Sequence, residues 1–418
     1  MKVLLLNQCF WPDVVATAQQ LTMLARRLSE CGHEVTVITG RRGYDDPNQV
    51  FPSRQSLPGI QIVRIPSLGL GKGSRWRRGL VFASFLSALA VRLLNTPKHD
   101  AVVALTSPPL ISWVGSVFVR FKGGKLFFWS MDLNPDEAIA AGWLRKDSLT
   151  ARLLSRLLIT SMVQADSIVA LDRFMKERIG AKGIDERKIE VIPPASDDGV
   201  HYDQKGREEF RRLHNLDGKY VVMYAGNHSP CHPLDTLLES AARLQSREEI
   251  LFLFVGGGSG LGQVKQFAAS RGLRNIRWLP YQPYEKLSAL LSAADLHVVV
   301  MGDAFKGILH PSKIYNIIAV GSTFLFIGPA ECHVSDIIRA MEMNAAAICA
   351  RHGEADKVVR LVSEVVEKSG SSVNPVRPAL NEFSGDAIYS RFISLIEYAG
   401  RSSEEPGPLE ATARTSEG

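Results

Sequence analysis

The stretch "DLHVVVMGDAFKGILHPSKIYNIIAVGSTFLFIGP", from Asp295 to Pro329, contains a complete strand–helix–strand unit. Its "LHVVVM" and "TFLFIGP" segments are short apolar runs of the kind found in strands that are covered on both faces. Between them, Pro311 suits the first turn of a helix, and the apolar residues of "KIYNIIAV" follow it. A helix between two such strands is typical of parallel neighbours, so the stretch predicts an α/β fold.

The same alternation runs through the chain in two blocks. Apolar runs such as "KVLLLN", "EVTVIT" and "KLFFWS" precede the polar, proline-containing segment "IPPASDDGVHYDQKG", and "YVVMYAGN", "ILFLFVGGG" and "DLHVVVM" follow it. Because prolines and polar residues interrupt the pattern, we predict two doubly wound parallel-sheet domains, residues 1–198 and 199–384. A last helix is expected at about 385–400, and residues 401–418 are polar enough to predict a disordered tail.

Composition narrows the class of protein without deciding it. Of 418 residues, 45% are apolar and 22% charged, and Lys plus Arg exceed Asp plus Glu by 49 to 43. This excess suits an anionic ligand or a membrane surface, and nothing in it calls for nucleic acid. The five cysteines are never spaced CxxC, and no cleavage site follows "MKVLLLNQCFWPD", so we expect free thiols and a cytoplasmic protein.

The segment "GKGSRWRRGLVFASFLSALAVRLL" joins a basic cluster containing Trp76 to the longest apolar run of the chain. That run, Gly79 to Leu94, is shorter than the roughly 20 residues needed to span a bilayer. Two interpretations remain open. The helix covers one face of a sheet, or the segment Lys72–Leu94 lies on an anionic membrane with its tryptophan among the headgroups.

In open parallel sheets, ligands bind beyond the carboxyl ends of the strands, so two such domains predict a cleft between them. Lys313 lies at such an end, where the peptide amides of Ser312 and Lys313 lack acceptors within the helix. A cation is disfavoured at a helix start unless an anion joins it. A diphosphate would bind both the amine and the amides. The alternative is that Lys313 extends into solvent.

Two other loops of the second block carry polar or glycine residues after a strand. The glycines from Gly256 to Gly262 do not spell GxGxxG, which disfavours a nicotinamide enzyme, and they suit either a flexible turn or close approach to a nucleotide. In "YAGNHSPCHPLD", His228, Cys231 and His232 share one loop. His228 and His232 are four residues apart, but no CxxC pair accompanies them, so they indicate ligand contact and no metal site.

The first block supplies candidate residues of a different kind. The segment "FFWSMDLNPDE" delivers Asp132 and Asp136 after a strand, where a carboxylate suits a general base or the orientation of a hydroxyl. Asp132 equally suits the cap of the following helix. Thr106 and Ser107 in "ALTSPP" end the preceding strand and suit a hydroxylated acceptor, or else only a proline-stiffened turn.

These segments, taken together and in order, resemble the family-4 glycosyltransferases, which are retaining enzymes of the GT-B architecture. More specifically, the segments resemble the colanic-acid and capsule branch of this family, which builds bacterial exopolysaccharides. It rests on segments between the N-terminus and about residue 330: "FWPDVVATAQQLTMLARRLSECGHEVTVIT", "ALTSPP", "WSMDLNPDEAIAAG", "VIPPASD", "YAGNHSPCHPLDTLLESA", "LFVGGG", "LPYQPYEKLSALLSAADLHVV" and "HPSKIYNIIAVG".

The resemblance implies a GT-B fold of two facing Rossmann-like domains and a function for each. The second domain would bind a nucleotide-diphosphate sugar, and the first, completed by the last helix, would bind an acceptor such as a lipid-linked saccharide at the inner membrane. No cofactor or metal is expected, since no DxD motif is present. Asp132 would occupy the family's acidic position in the cleft, and Lys313 would bind the phosphates. The expected donor residues are Gly226, Asn227, His228, Gly256, Tyr281, Ser312, Lys313 and Asn316.

The chain departs from the family pattern at two places. The family's paired glutamates would fall at Ile308 and Asn316, and the basic residue beyond "GN" is absent, with His228 and His232 in its region. Two other hypotheses therefore stay open beside a transferase. One is a nucleotide-sugar epimerase of the same architecture, and the other is a relative that binds a nucleotide sugar without catalysis.

Overall fold

The computed structural model describes residues 1–44, 46, 48–70, 75–343, 348–369 and 383–401. Of the predicted tail, residues 402–418 lie outside this range, as does Lys72 of the predicted membrane segment.

The described strands form two separate sheets. The first has eight strands in the order β3-β4-β2-β1-β5-β6-β7-β8, and the second has six in the order β11-β10-β9-β12-β13-β14. Every pairing is parallel except that of β3 with β4. The strands are β1 Lys2–Leu6, β2 Glu34–Gly40, β3 Arg54–Leu57, β4 Ile60–Ile65, β5 Ala101–Ala104, β6 Lys125–Ser130, β7 Ser167–Ala170, β8 Ile189–Val191, β9 Tyr220–Ala225, β10 Ile250–Val255, β11 Ile276–Leu279, β12 Leu296–Val300, β13 Phe324–Ile327 and β14 Cys349–Ala350.

Helices connect most successive parallel strands. They are α1 Ala16–Glu30, α2 Arg75–Leu94, α3 Ile111–Lys122, α4 Asp136–Ala140, α5 Leu149–Gln164, α6 Arg173–Gly180, α7 Gln204–Leu213, α8 Asp235–Arg243, α9 Leu261–Ser270, α10 Leu287–Ser292, α11 Lys313–Ala319, α12 His333–Ala340, α13 Ala355–Ser369 and α14 Gly385–Arg401. Two parallel sheets with such connections confirm the predicted α/β fold of two Rossmann-like units.

The central strands are buried on both faces, which explains their continuous apolar sequence. In β10, Phe252 and Phe254 pack into the core on one face of the second sheet, while Leu251 and Leu253 pack into the core on the other. Successive side chains of a strand point to opposite faces, so "ILFLFV" supplies both cores. The edge strands are less apolar. The antiparallel β3, "RQSL", lacked the pattern that would have predicted it.

Helix α2 covers the first sheet with one face only. Phe85, Leu89 and Leu93 are buried in the core of that sheet, whereas Trp76 and Leu80 are 62% and 46% exposed. The interpretation of α2 as a covering helix is therefore correct for its inner face, and its outer face is left uncovered. Within the described residues, no helix combines the length and the apolar character that spanning a bilayer requires.

The last helix, α14, packs on the first sheet although it follows the second in the chain. The ring centroids of Phe392 and Trp129 lie 4.8 Å apart, and the hydroxyl of Tyr389 donates to the side-chain oxygen of Gln20 over 2.8 Å. Both contacts are buried. Helix α14 thus packs against the unit that contains β1.

The two sheets face each other across their carboxyl ends and touch along one side. There, the guanidinium of Arg173 donates to the carboxylate of Asp336 over 2.7 Å, and the amide of Leu133 donates to the carbonyl of Ile308 over 3.1 Å. Ile308 itself packs into the core of the first unit. The loop before α11 is therefore held by both units, and the candidate residues lie beside it.

Candidate active site

Lys313 begins α11, and its amine lies beside the carboxyl end of β9. The amine is buried, has no hydrogen-bond partner in the described residues, and lies 3.6 Å from the ring centroid of Tyr224. Burial without a counter-charge lowers the pKa of Lys313 to about 7. A buried amine without a partner is unfavourable, so its position indicates a place where an anion binds.

Two glycines leave room around this amine. Gly226 has φ +131°, and a β-carbon there would come within 3.2 Å of the Lys313 Nζ. Gly256 has φ +129°, and a β-carbon there would come within 2.1 Å of the Gly226 carbonyl oxygen. The expected proximity of Gly226, Gly256 and Lys313 is thus present in the fold. Asn227 follows them on an exposed turn, where its carbonyl accepts a hydrogen bond from Tyr224 over 3.0 Å.

His228 and His232 are held in one orientation by backbone carbonyls. The Nδ1 of His228 lies 3.1 Å from the Gly257 oxygen, and that of His232 lies 2.8 Å from the Val300 oxygen. Since a carbonyl only accepts, Nδ1 carries the proton and the neutral ring keeps Nε2 as an acceptor. Burial lowers the pKa of His232 to about 3, and the positive charge of Lys313 is the next largest cause of this decrease. Burial likewise lowers the pKa of His228 to about 4, and its Nε2 has no hydrogen-bond partner among the residues that the structure describes.

The other predicted donor residues differ in their placement. The Tyr281 ring, 48% exposed, lies where a β-carbon on Gly257 would come within 2.9 Å of it. Ser312 directly precedes Lys313 and is the residue before α11, a short helix of seven residues. The side-chain oxygen of Asn316 accepts from the Asp197 amide over 3.0 Å. Asn316 therefore binds the segment between the sheets, and the expectation that this oxygen contacts a ligand needs correction.

After β6, the first unit presents a pair of carboxyl groups, Asp132 and Glu137. Burial, and then the charge of Glu137, raise the pKa of Asp132 to about 8. Burial also raises the pKa of Glu137, but the Asn134 amide, which donates to it over 2.9 Å, and the charge of Arg78 oppose that rise. We infer that the pair carries its negative charge on Glu137 and its proton on Asp132 at neutral pH.

This pair meets the second unit at Cys231, whose sulfur lies 4.0 Å from a Glu137 carboxylate oxygen. Burial raises the pKa of Cys231 to about 12, and the negative charge of Glu137 is the next largest cause of this rise. The thiol therefore stays protonated. The loop of His228 and His232 thus reaches the carboxyl groups of the opposite sheet. The two halves of the site lie within contact distance of each other.

The predicted acceptor residues are only partly brought together. The hydroxyl of Thr106 accepts from the Asp132 amide over 3.3 Å, and the Ser107 carbonyl accepts from the Gln8 amide over 2.7 Å. The Asp136 carboxylate, however, is bound by the Lys182 amine over 2.8 Å. The expectation that Asp136 faces a substrate is thus corrected. Its neighbour Glu137 lies instead near Asp132 and Cys231.

A second buried cluster links the two units beside the site. His310 lies between Asp172 and Tyr315, with 2.7 Å from each ring nitrogen to its oxygen partner, and stacks on His333. Asp172, His310 and His333 bring three ligand-type atoms within 4.8 Å of one another. The 2.7 Å separation is that of a charge-assisted hydrogen bond, so the cluster joins the first unit to the loop before α11.

Glu137 and His310 were not predicted as site residues. Glu137 directly follows Asp136 in "NPDE", and adjacent positions on a helix point in different directions. His310 belongs to the "HPSK" segment that was singled out for its lysine. The sequence feature that could have identified His310 is its place as an ionisable residue after a buried strand, two positions before Ser312.

Comparison with known proteins gives this site a class. Residues 16–195 match the model of the glycosyl transferase 4-like domain, and residues 206–307 match that of the glycosyl transferases group 1. The two matched segments lie in the first and second units, respectively. With the two facing parallel sheets, they identify the chain as a GT-B glycosyltransferase.

Individual relatives agree over nearly the whole chain. WcaI of Escherichia coli (strain K12), named as a glycosyl transferase of colanic acid biosynthesis, is 23% identical over 92% of this chain and 100% of its own length. The fold resembles sucrose-phosphate synthase from Thermosynechococcus elongatus, with a TM-score of 0.74, 14% identity and coverage of 96% and 100% of the two chains. It also resembles HepE of Anabaena in complex with UDP-glucose, with a TM-score of 0.69, 12% identity and coverage of 95% and 100%.

Proposed function

We propose that this glycosyltransferase moves a sugar from a nucleotide-diphosphate donor to a hydroxyl of a saccharide acceptor. The observation that carries the proposal is the buried amine of Lys313 beside Gly226, which has no hydrogen-bond partner in the described residues and belongs to the unit whose Cys231 contacts Glu137. One half of the site suits an anionic leaving group, and the other half suits a hydroxyl nucleophile.

The donor occupies the second unit, residues 199–384, and the acceptor occupies the first, residues 1–198. A diphosphate at Lys313 restores the partner that the amine lacks, and a base that extends toward Tyr281 meets an exposed aromatic ring. A uridine diphosphate sugar is the first donor to test, since HepE has this fold and binds UDP-glucose. The name of WcaI supports a role in surface polysaccharide synthesis.

The chemistry follows from the charges on the two sides. Negative charge develops on the diphosphate as the bond to the sugar breaks, and the protonated amine of Lys313 stabilises it in a site that excludes water. The carboxyl pair of Asp132 and Glu137 accepts a hydrogen bond from the attacking hydroxyl and takes up its proton. Retention of the anomeric configuration, which the family resemblance implies, would be read from the linkage of the product.

A nucleotide-binding and product assay tests this function directly. UDP at about a hundred times its dissociation constant is expected to stabilise the protein by about 2.7 kcal/mol, measured by thermal unfolding. With UDP-sugar donors and a saccharide acceptor, we expect UDP and a glycosylated product. An epimerised sugar formed without acceptor would identify an epimerase, and UDP-sugar binding without any released UDP would identify a non-catalytic module. Either result would contradict the proposal.

We further propose that the first unit rests on the inner membrane, where a lipid-linked acceptor would be found. Helices α2 and α5, which both pack against α3, carry exposed apolar side chains near their first turns. Trp76 and Leu80 on α2, and Leu149 and Leu153 on α5, are 46% to 81% exposed. Arg77, Arg78, Arg145, Lys146 and Arg152 are exposed around them. Exposed aromatic, apolar and basic groups at the starts of these two helices suit an anionic lipid surface.

Charge removal tests this membrane contact. The double variant Arg145→Gln/Lys146→Gln is expected to bind anionic phosphatidylglycerol vesicles at least about tenfold more weakly, since each basic residue contributes roughly 1 kcal/mol at such a surface. Vesicle flotation measures the change. Lys205→Gln/Arg212→Gln on α7 removes two exposed charges from the second unit and serves as the matched control. Equal flotation of both variants would contradict the membrane face.

A further inference from the structure

The chain between β12 and α11 docks on the first unit over residues 306–310, which we call the docking loop. The guanidinium of Arg178 donates to the Lys306 carbonyl over 3.2 Å. The amide of Leu133 donates to the Ile308 carbonyl over 3.1 Å. Two backbone carbonyls that belong to the second unit are thus held by donors of the first.

Each unit also places an apolar side chain in the core of the other. Ile308 of the docking loop is buried in the core of the first sheet. Phe174 of α6 is buried in a core of the second unit that includes Ile314 and Tyr315 of α11. Gly307 has φ +67°, and a β-carbon there would come within 2.5 Å of the Phe174 carbonyl oxygen. Separating the units at this point would expose both apolar side chains to water, so the docking loop stays on the first unit.

His310 ends the docking loop and forms a buried chain of hydrogen bonds between the units. Its side chain is 1% exposed, its Nδ1 lies 2.7 Å from Oδ2 of Asp172, and its Nε2 lies 2.7 Å from the Tyr315 hydroxyl oxygen. Burial raises the pKa of Asp172, but the hydrogen bond from His310 is the largest of several causes that lower it, and the net change is a decrease. The ionised Asp172 therefore accepts a charge-assisted hydrogen bond from Nδ1.

The docking loop connects the residues on which the proposed chemistry depends. Leu133, which binds the Ile308 carbonyl, directly follows Asp132 in the first unit. His310 precedes Lys313 by three residues. One part of the loop is therefore bound beside the acceptor carboxyl group, and its end leads into the helix that carries the lysine. Alignment of such groups matters, because a displacement of about 1 Å can lower a reaction rate about a hundredfold.

We propose that His310 is a positioning residue for sugar transfer, and that its bond to Asp172 fixes Lys313 relative to the carboxyl pair of the first unit. His310 acts through the docking loop, without a substrate contact of its own. The inference rests on the proposed transferase function and adds the residue that aligns the two halves of its site.

Two substitutions of His310 separate its two hydrogen bonds. Asparagine places an amide nitrogen near the position of Nδ1 and keeps a donor to Asp172, whereas glutamine reaches the position of Nε2 and keeps only the contact with Tyr315. His310→Gln is expected to lower kcat at least about tenfold with little change in the KM for UDP-sugar, because misalignment slows the reaction and leaves the donor site intact. His310→Asn should recover most of this loss. Steady-state UDP release with acceptor measures both constants.

Asp336→Asn is the matched control for a contact between the units. It removes the ion pair with Arg173 at the same interface, outside the docking loop, and should leave kcat unchanged. The proposal is overturned if His310→Gln turns over as the unaltered protein does, if His310→Asn loses as much activity as His310→Gln, or if Asp336→Asn shows an equal loss.

Hydrogen exchange at the Leu133 amide tests the alignment without any measurement of activity. This amide binds the Ile308 carbonyl, so it should exchange faster in His310→Gln and at an unchanged rate in His310→Asn. Unchanged exchange in His310→Gln would overturn the proposal, whatever the activity. Sugar transfer by the unaltered protein tests the proposed function separately, so failure of one proposal is distinguished from failure of the other.

A second variant keeps the test decisive should His310→Gln not fold. Asp172→Asn keeps an oxygen that accepts from the Met175 amide at the start of α6, a bond of 2.8 Å, and loses the negative charge that His310 binds. It should lower kcat and speed exchange at the Leu133 amide in the same way. Unaltered values of both quantities in Asp172→Asn would equally overturn the proposal.

Discussion

Lys313→Met is expected to lower the rate of sugar transfer about a thousandfold, because one preorganised donor to a developing negative charge contributes that much in comparable sites. Methionine nearly matches the lysine in size and so keeps the packing against Tyr224. Removing a buried amine without a partner relieves an unfavourable burial, so the thermal unfolding temperature should stay equal or rise. The rate is measured as UDP release in the presence of acceptor.

The pH dependence of UDP binding adds a second measure of the same residue. The pKa of Lys313 is lowered to about 7, so the amine is charged below that pH and neutral above it. UDP affinity of the unaltered protein should therefore fall as pH rises above 7, and that of Lys313→Met should not show this fall. Lys265→Met, on the exposed face of α9, is the control and should behave as the unaltered protein does. Unimpaired transfer by Lys313→Met would remove the basis of the assignment.

Asp132→Asn is expected to lower transfer by about a hundredfold or more, because Asp132 and Glu137 share one proton and take up that of the attacking hydroxyl as a pair, and loss of a positioned acid–base group usually costs this much. The amide is similar in shape and leaves the backbone contact to Thr106 in place. Steady-state rates with donor and acceptor measure the loss, and UDP affinity should change little because Asp132 lies on the other sheet. Asp136→Asn is the control. It alters a carboxylate four residues further along the chain, which Lys182 binds, and it should keep most of the activity.

The stability of Asp132→Asn relative to that of the unaltered protein should increase as pH rises. The folded-state pKa of Asp132 is raised from 3.8 to about 8, so between these values the folded state holds a proton that the unfolded state has released. Asp132 therefore makes the unaltered protein less stable as pH increases through this window, and asparagine removes that effect. The unfolding temperature of Asp132→Asn minus that of the unaltered protein should grow from pH 4 to 8 and then level off. A difference independent of pH would contradict a buried, protonated Asp132.

Several features of the site could be predicted from the sequence because of the parallel sheet. Strands β9, β10 and β12 are neighbours, and their carboxyl ends lie on one edge, so the residues after them converge whatever the length of chain between. Gly226, Gly256 and Lys313 each follow one of these strands, and in the fold Gly226 lies beside both Gly256 and Lys313. The apolar runs likewise predicted most strands, since burial on both faces requires a continuous apolar sequence.

Side-chain direction and partner choice could not be predicted in this way. Asp136 and Glu137 are adjacent carboxylates at the start of α4, and the choice between them depends on Lys182, which follows α6 and binds the first. Asn316 was expected at a ligand, but the amide of Asp197 reaches it from the segment between the sheets. In both cases the deciding partner is distant in sequence, and only the packed fold brings it close.

The sequence by itself determined the two doubly wound parallel sheets and the lysine that follows one of their buried strands, because the alternation of strands and helices follows from local patterns of apolar residues. Tertiary structure alone decided that the Lys313 amine is buried without a partner, that Asp132 shares its charge with Glu137, and that His310 binds Asp172 of the other unit. The physical reason is that burial, pKa and electrostatic complementarity depend on which groups from distant segments lie within a few ångströms of each other.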